Sequence, residues 1–415
     1  MKIIRIIFTI LLVGGTLFCS ATEIIDDSLT VVSGIVKEKS HKKKLAGVTL
    51  SIPGSNIATV TNSDGCFSIK LPAQMLGRGI KAQHIGFRST LVEGERLKKD
   101  FTCITIWLEP SSKVLEEITV YGAQPRTLIE LALKKIPENY SASPNMFSSF
   151  YRETIQKGRR YIGVSEAIMN VFKKSYKTRR ISGDRVQVIK GRRLMSQRKN
   201  DTLAVKIIGG PTLPVVLDIV KNDDVLFNLS ELDFYEFKME PMTSLDERRQ
   251  FVVSFKPIVT VDYPLHKGKV YIDQETMSFT RAEFSLDVSD KEKATKAILY
   301  KKPRGLHFKP QELEIIVTYK FQDGISYLNY IRTKTRFRCD WKLRLFSSGY
   351  TTYAEMVMVD RDDNPSDAIP RKDAFGSGDI FYDKVDNFSD KDFWKEYNII
   401  EPTESLEKAV LRLRN

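Results

Sequence analysis

The chain has 415 residues, 42% hydrophobic and 28% charged, which is ordinary for a globular protein of roughly two to three domains. Beyond the first 21 residues, no apolar run reaches the ~18 residues that a membrane-spanning helix needs. The net charge of +13 would suggest a nucleic-acid partner in a cytosolic protein, so the cellular compartment decides how that charge is interpreted.

The first 21 residues have the features of a cleaved secretory signal. Lys2 and Arg5 give a positive start, and Ile6–Leu17 is an apolar run too short to span a bilayer. Cys19-Ser20-Ala21 supplies small residues at the cleavage site. We therefore predict that residues 1–21 are a signal peptide and that the protein is exported, to the periplasm or the periphery of the outer membrane.

A lipoprotein signal with Cys19 as the lipidated residue is the alternative, although Phe18 is bulky where such signals need a small residue. Loss of Lys2 and Arg5 with the signal lowers the net charge by two, from +13 to +11. An exported protein rarely meets nucleic acid, so we expect no nucleic-acid partner. We favour a solvated basic surface, with attraction to acidic lipid headgroups, glycans or an acidic partner as the alternative.

Three cysteines follow the predicted signal: Cys66, Cys103 and Cys339. An odd number leaves at least one thiol free, and a surface disulfide between Cys66 and Cys103 stays open as an alternative. Because no C-x-x-C spacing occurs, the sequence argues against a redox motif or a structural zinc site.

Short alternating runs separated by turns make up residues 31–122. The runs Val48–Ile52 and Phe67–Leu71 alternate apolar and polar residues, which puts one face of a strand on a core and the other in water. Asn62-Ser63-Asp64-Gly65 is a turn sequence, with its glycine at the position of positive φ. The pattern predicts a small β-sandwich.

The motifs of this region are Gly34, Ala46-Gly47-Val48, Asp64-Gly65, Phe67, Ile85-Gly86-Phe87 and Leu115-Glu116-Glu117-Ile118. In this order they resemble the carboxypeptidase-like regulatory domain, a transthyretin-like sandwich common in exported proteins of Bacteroidetes. The resemblance covers nearly all of residues 31–122. It implies a non-catalytic module in a protein that binds or holds something.

In relatives, an ending like Leu115–Gly122 often leads into the plug of a TonB-dependent outer-membrane receptor. The roughly 290 residues that remain cannot supply both a plug and a closed barrel of about 22 strands. An accessory subunit of such a transporter is therefore kept as an alternative function.

Residues 123–145 are predicted to be a linker and a helix. The helix is expected over Thr127–Tyr140, with Thr127 as its capping residue and Glu130 three residues on. Leu128, Leu131 and Ile136 fall at helical spacing and give the helix one apolar stripe.

Residues 146–359 are predicted to form a curved antiparallel sheet packed on one or two helices. The clearest hairpin is Leu313–Phe337, where Asp323-Gly324 separates two alternating runs. Gly268–Val288 predicts two more strands, and Pro214–Asn222 predicts a short buried helix. Few helices beside long strands favour an open sheet that covers a helix.

The run from Gly268 to Phe284 resembles the half-barrel of lipoprotein carriers, in which a strand, a D-x-x-T turn and a return strand recur. The segment Asp392–Pro402 resembles the end of Bacteroidetes proteins that pair the regulatory domain with such a sheet. We expect residues 360–415 to be a polar loop and a C-terminal tail that packs on the sheet domain. The fold class is thus mainly β, a transthyretin-like sandwich followed by a half-barrel-like sheet.

Known catalytic and metal-binding motifs are not found in the sequence. The four histidines include no H-E-x-x-H pair, and neither a G-x-S-x-G elbow nor a P-loop occurs. The acidic run Asp360–Pro365 fails as a calcium loop because Pro365 and Arg371 occupy positions that need glycine and glutamate. We predict no catalytic, metal or cofactor residues, and we interpret His84 as surface packing.

We predict a non-catalytic cell-envelope binding or accessory protein whose sheet domain holds an apolar ligand or a protein partner. If the half-barrel is partly open, aromatic side chains line a pocket for that ligand. An envelope hydrolase with an unrecognised site is a further alternative. The candidate lining residues are Phe147, Tyr151, Phe237, Tyr319 and Phe321.

Overall fold

The computed structural model is mainly β, as predicted, with a small sandwich and a large open sheet. The residues that it describes are 29–99, 103–111, 124–198, 201, 203, 205–207, 210–341, 347–376, 379, 381, 385–387, 393–394 and 397–414. The predicted signal peptide, the candidate lipidation site Cys19 and the motif Leu115–Ile118 lie outside these residues.

The N-terminal sandwich consists of two sheets, ordered β4-β1-β7 and β3-β2-β5-β6. Alternating apolar side chains from both sheets fill its core, and Gly65 has φ 74° in the predicted turn before β4. The elements are β1 (Leu29–Glu38), β2 (Thr49–Ser51), β3 (Ala58–Val60), β4 (Cys66–Pro72), a 3-10 helix (Ala73–Arg78), β5 (Ile80–Gln83), β6 (Thr90–Val92), α1 (Gly94–Lys99) and β7 (Ile104–Leu108).

Ten antiparallel strands form the large sheet, in the order β12-β13-β14-β15-β17-β18-β19-β8-β9-β10, and β20 pairs in parallel with β10. The short strands β11 and β16 pair separately. The strands are β8 (Asn145–Lys157), β9 (Arg160–Lys173), β10 (Arg185–Met195), β11 (Lys206–Ile207), β12 (Tyr235–Leu245), β13 (Arg248–Pro257), β14 (His266–Asp273), β15 (Phe279–Leu286), β16 (Leu299–Lys301), β17 (Leu306–Gln322), β18 (Ile325–Trp341), β19 (Ser348–Asp362) and β20 (Asp386–Asn387). The helices are α2 (Pro125–Lys134), α3 (Ile136–Asn139), α4 (Leu213–Val216), α5 (Lys291–Ile298) and α6 (Glu404–Arg414), with a 3-10 helix at Leu229–Phe234.

The predicted hairpin around Asp323-Gly324 is confirmed as β17 and β18, and both turn residues have positive φ. The prediction for the first helix is wrong in its bounds, because α2 begins at Pro125 and Gln124 occupies the cap position. Proline suits the first turn of a helix, where its missing N–H is not needed. The chain then restarts as α3 with Pro137 in its first turn.

The helix expected over Pro214–Asn222 is also shorter than predicted, since α4 ends at Val216 and turns follow.

The large sheet curves around the segment 210–234. The carboxylate of Asp218 accepts hydrogen bonds from Tyr319 on β17 at 2.8 Å and from Tyr176, just after β9, at 2.7 Å. These strands are four positions apart in the sheet, which is roughly 19 Å at ~4.8 Å per strand. One carboxylate reaches both tyrosines because the sheet curls, and α2, α3 and α4 fill the same concave face.

The opposite face of the sheet is covered where β8, β9, β18 and β19 lie side by side. Phe150, Ile168 and Val357 form an apolar cluster there with Trp394 and Ile400 from the C-terminal region. The N-terminal sandwich adds β3, which packs against β19 in this cluster. The sheet is therefore buried on both faces in its middle, and the sandwich and the C-terminal region share its outer side.

Candidate functional site

A cleft of about 620 Å³ opens between three distant segments of the chain. One wall contains Arg159, Arg160 and Tyr161 at the turn into β9, followed by Ser196–Arg198 just after β10. The other wall is α6, which contributes residues between Ser405 and Leu413. We call this space the basic cleft.

Five cations and no carboxylate line the basic cleft: Arg159, Arg160, Arg198, Lys408 and Arg412. Two of these cations have ion-pair partners outside the cleft lining, Arg160 with Asp201 and Lys408 with Glu404. For the other three, no ion pair with a carboxylate exists within the described part of the chain. The cleft is therefore positively charged even after its internal ion pairs are counted.

Asp201 fixes the wall that contains Arg160. Its carboxylate accepts a hydrogen bond from Arg160 Nη1 at 2.7 Å and another from Ser196 Oγ at 2.6 Å. Burial opposes ionisation of Asp201, but the Ser196 hydroxyl and the Arg160 guanidinium lower its pKa below the usual value. The carboxylate therefore stays charged and holds the start of β9 beside the end of β10.

The sequence of α6 places two cations, together with Ala409 and Leu413, on the side that faces the cleft. Leu406 and Ala409 are buried, whereas Lys408 is exposed and Arg412 lies four residues further along the same side. The helix packs against β9 and β10. At its N-terminus, Thr403 Oγ1 accepts the N–H of Leu406 at 3.2 Å.

The N-terminal sandwich supplies a second cap to α6. Asp64 Oδ2 accepts a hydrogen bond from the backbone N–H of Glu404 at 3.0 Å. Asn62 Nδ2, in the same turn, donates to the carbonyl oxygens of Glu401 and Pro402, both at 3.1 Å. The predicted turn of the sandwich thus sets the position of the helix that forms one wall of the cleft.

Residues 393–394 and 397–403 form the C-terminal strap, which lies between the sandwich and the sheet. On the sheet side, Trp394 packs edge-on against Phe150 and its indole N–H donates to Glu166 at 3.1 Å. On the sandwich side, Asn398 exchanges two hydrogen bonds with the backbone of Lys70, at 2.6 and 2.9 Å. The strap ties both parts to the start of α6.

Glu166 anchors the strap to a buried ionic network. Its carboxylate bonds Arg152 on β8 at 2.7 Å and Arg192 on β10 at 2.8 Å, in addition to the indole of Trp394. Burial favours the neutral acid, but the two guanidinium groups lower the pKa of Glu166 below its usual value. The charge is thus compensated within the network, as a buried ion pair requires.

The chemistry of the cleft suits an oxyanion. A guanidinium group presents a planar fork of donors that matches phosphate and carboxylate oxygens in a bidentate way. The hydroxyls of Tyr161 and Ser405 add neutral donors to the same space, whereas the Ser196 hydroxyl donates to Asp201. No group of three or more His, Cys, Asp or Glu residues in the described ranges is arranged to hold a metal ion.

A smaller cavity of about 60 Å³ lies between the sandwich and the sheet. Arg248 lies over the ring of Phe321 at 4.3 Å from its centroid and forms an ion pair with Asp273. His84 also lines this cavity, and burial lowers its pKa to about 4. His84 is half-buried and packs edge-on against Phe87, and the side of the sandwich on which it lies faces the sheet domain.

The five residues expected to line an apolar pocket occupy two environments. Phe147, Tyr151 and Tyr319 are buried in the core of the concave face, and Phe237 packs against the same core. Phe321 is 39% exposed. Of the five, Tyr319 and Phe321 reach the small interdomain cavity, and none lines the basic cleft. Their role in binding a ligand stays a prediction.

Sequence reasoning missed a fully buried charge cluster around Lys173. Its ammonium lies 2.9 Å from Asp218 and 3.4 Å from Asp184, with all three side chains inaccessible to solvent. Burial opposes ionisation, but Lys173 and the hydroxyls of Tyr176 and Tyr319 lower the pKa of Asp218. The cluster links β9, β17 and the segment 210–234, so its place is in the core of the sheet domain.

Residues 32–120 match the family model of the CarboxypepD_reg-like domain. The prediction made from the motifs of residues 31–122 is confirmed. No protein among the curated sequences matches the chain. The CarboxypepD_reg-like domain is therefore the part of the chain with a described family, and it contributes Asn62 and Asp64 to the contacts with the strap and α6.

Two solved structures are similar to the chain at low sequence identity. A DUF1329 family protein from Desulfovibrio piger ATCC 29098 has 14% identity and a TM-score of 0.25, with 59% of this chain and 97% of that chain covered. A protein of unknown function from Bacteroides fragilis NCTC 9343 has 8% identity and a TM-score of 0.15, with 80% and 98% covered. At these scores neither similarity supports an argument about function.

The three cysteines in the described part of the chain, Cys66, Cys103 and Cys339, are free thiols. Within the same residues, no helix is long and apolar enough to cross a membrane.

Proposed function

We propose that the protein is a non-catalytic binding protein of the cell envelope that holds an anionic ligand in the basic cleft. The observation that carries the proposal is the set of five cations facing a cleft of about 620 Å³ with no carboxylate in its lining. Cavities of this size are typical of specific ligand sites. The CarboxypepD_reg-like domain has a supporting role, because its turn at Asn62–Gly65 positions α6.

An anionic ligand is favoured over the apolar one that the aromatic residues suggested. The concave face of the sheet, where an acyl chain would enter a half-barrel, is packed with α2, α3 and the segment 210–234. The cavity reached by Tyr319 and Phe321 is about 60 Å³, which is space for a few water molecules. The net charge of +11 that remains after loss of Lys2 and Arg5 with the predicted signal adds a long-range attraction for anions.

The envelope location rests on the signal-like features of residues 1–21. Fractionation of cells that produce the full chain tests it, with recovery in the periplasmic or outer-membrane fraction expected. Recovery in the cytosol alone would contradict the envelope location, but it would not contradict anion binding in the basic cleft.

Binding of the trisulfonated dye pyranine tests the cleft directly, by fluorescence anisotropy at several salt concentrations. The test variant carries Arg159→Gln and Arg412→Gln, one change in each wall. The matched control carries Lys267→Gln and Arg304→Gln, two exposed positions outside the cleft lining. Both variants lose two positive charges, so the only difference between them is whether the charges are lost inside or outside the basic cleft.

The proposal predicts that the cleft variant binds pyranine about tenfold or more weakly than the control, because each lost charge-assisted hydrogen bond is worth about 1.5–3 kcal/mol. Thermal unfolding of both variants should match that of the unsubstituted protein, since isolated surface changes cost little. Equal pyranine affinity of the two variants would show that the anion binds through general charge, and the proposal would fail.

A further inference from the structure

The charge that remains in the basic cleft constrains the ligand. Arg159, Arg198 and Arg412 have no ion-pair partner within the described residues, whereas Arg160 and Lys408 are each paired with one carboxylate. The lining therefore has about three uncompensated positive charges. A phosphomonoester carries about −1.5 to −2 at neutral pH, so two such groups match this charge and one does not.

The cations are divided between the two walls. Arg159, Arg160 and Arg198 belong to the wall built by the sheet, and Lys408 and Arg412 belong to α6. Each wall also has a hydroxyl donor, Tyr161 on one side and Ser405 on the other. Each wall alone thus has both the cations and the neutral donors that hold one phosphoryl group.

The residue types favour phosphoryl groups over carboxylates. Four of the five cations are arginines, whose planar forks bind phosphate oxygens in a bidentate way. Neutralising about three charges with carboxylates would need three of them, on a ligand small enough for about 620 Å³. Two phosphoryl groups supply the same charge with two groups, one for each wall.

We propose that the ligand is a small molecule or a headgroup with two phosphoryl groups, one bound by each wall of the basic cleft. This inference rests on the proposed anion-binding function and specifies its ligand class. A free bisphosphate and a lipid headgroup share this chemistry, so the two sources are separated by experiment.

Isothermal titration calorimetry on the full mature chain compares three soluble probes: fructose 1,6-bisphosphate, fructose 6-phosphate and citrate. The bisphosphate should bind about tenfold or more tightly than either of the others, because it alone places a phosphoryl group on each wall. Arg159→Gln and Arg412→Gln, tested singly, should each reduce the affinity for the bisphosphate to that for the monophosphate. The single change Arg304→Gln, outside the cleft, is the control.

Equal affinity for the bisphosphate and the monophosphate would overturn the inference, and so would citrate binding as tightly as the bisphosphate. Either result is compatible with pyranine binding in the cleft, so it would leave the proposed function standing. If pyranine binds the cleft variant and its control with equal affinity, both the proposed function and this inference are wrong. With the bisphosphate bound as expected, sedimentation with phosphatidylcholine vesicles containing phosphatidylinositol bisphosphate assigns a lipid headgroup, and no sedimentation assigns a free ligand.

Discussion

Asp64 Oδ2 accepts the backbone N–H of Glu404 at 3.0 Å, although the two residues are 340 positions apart in the chain. The contact joins the CarboxypepD_reg-like domain to the first residue of α6, the helix that forms one wall of the basic cleft. A carboxylate at a helix N-terminus satisfies a free N–H and interacts favourably with the helix dipole. The first domain therefore helps to set the position of the helix that forms one wall of the basic cleft.

Replacement of Asp64 by alanine should weaken pyranine binding severalfold and lower the free energy of unfolding by about 1 kcal/mol, the value of a lost cap. The change removes a negative charge, so electrostatics alone would tighten the binding of an anion. The direction of the change in affinity therefore separates positioning from charge. Asp64→Asn, which keeps an acceptor oxygen, should restore most of the affinity, and Ser63→Ala in the same turn is the control. Tighter binding by Asp64→Ala would contradict the positioning role.

Trp394 should be the main anchor of the C-terminal strap. Trp394→Ala removes the packing on Phe150 and the hydrogen bond to Glu166, and a loss of about 3–5 kcal/mol is expected. Trp394→Phe keeps much of the packing and loses the N–H, so it should cost about 1.5–3 kcal/mol. Urea unfolding of both variants measures the difference. A cost below 0.5 kcal/mol for the alanine variant, within the range of about ±0.5 for surface changes, would show that the strap is not anchored there.

The buried charge cluster around Lys173 predicts that a substitution of nearly equal size at Asp218 strongly destabilises the protein. Asp218→Asn removes the closest counter-charge of Lys173 and leaves an ammonium group in the core with Asp184, which lies further away at 3.4 Å. Breaking a buried ion pair in this way costs about 3–5 kcal/mol. Asp224→Asn, the same change at an exposed position nearby, should leave the urea midpoint unchanged. Similar midpoints for the two variants would mean that Asp218 is not ionised in the folded protein.

His84 and His266 should make the protein less stable in acid. Burial lowers the pKa of each from 6.5 to about 4, so the fold holds both rings neutral. The unfolded chain takes up protons below about pH 6.5, and this part of the stability is complete above that pH and lost as the pH falls towards 4. At pH 5, about 1.5 units below the pKa in the unfolded chain, each histidine therefore lowers the free energy of unfolding by about 2 kcal/mol, since one pH unit is worth about 1.4 kcal/mol.

His84→Gln should reduce the loss of stability between pH 7 and pH 5 by that amount, measured as the difference in urea unfolding free energy. His41→Gln, at an exposed position, is the matched control. An identical pH dependence in the two variants would show that His84 takes up a proton within the folded protein.

The sequence predicted those parts of the fold that depend on local signals. The hairpin at Asp323-Gly324 and the turn at Asn62–Gly65 follow from residues that favour positive φ between alternating strands. The start of α2 was wrong by two residues, because a proline at the first helical position outweighed the capping box at Thr127. The order of the motifs identified the first domain because all of them lie within one continuous stretch of the chain, residues 31–122.

The basic cleft could not be predicted because its residues come from three segments far apart in the chain. Lys408 and Arg412 are four residues apart and therefore lie on one side of α6, a signal within reach of the sequence. Nothing local, however, shows that this side meets the turn into β9. The position of His84 beside the interdomain cavity has no local signal for the same reason, since it depends on how the two domains pack.

The position of a bound phosphate-sized anion tests the central claim most directly. Crystals soaked in tungstate, whose anomalous scattering locates the metal atom, should show density in the basic cleft, beside Arg159 or Arg198 on one wall and beside Arg412 on the other. The same soak of the Arg159→Gln, Arg412→Gln variant should show none there. Tungstate bound elsewhere in the unsubstituted protein, with the basic cleft empty, would contradict the account.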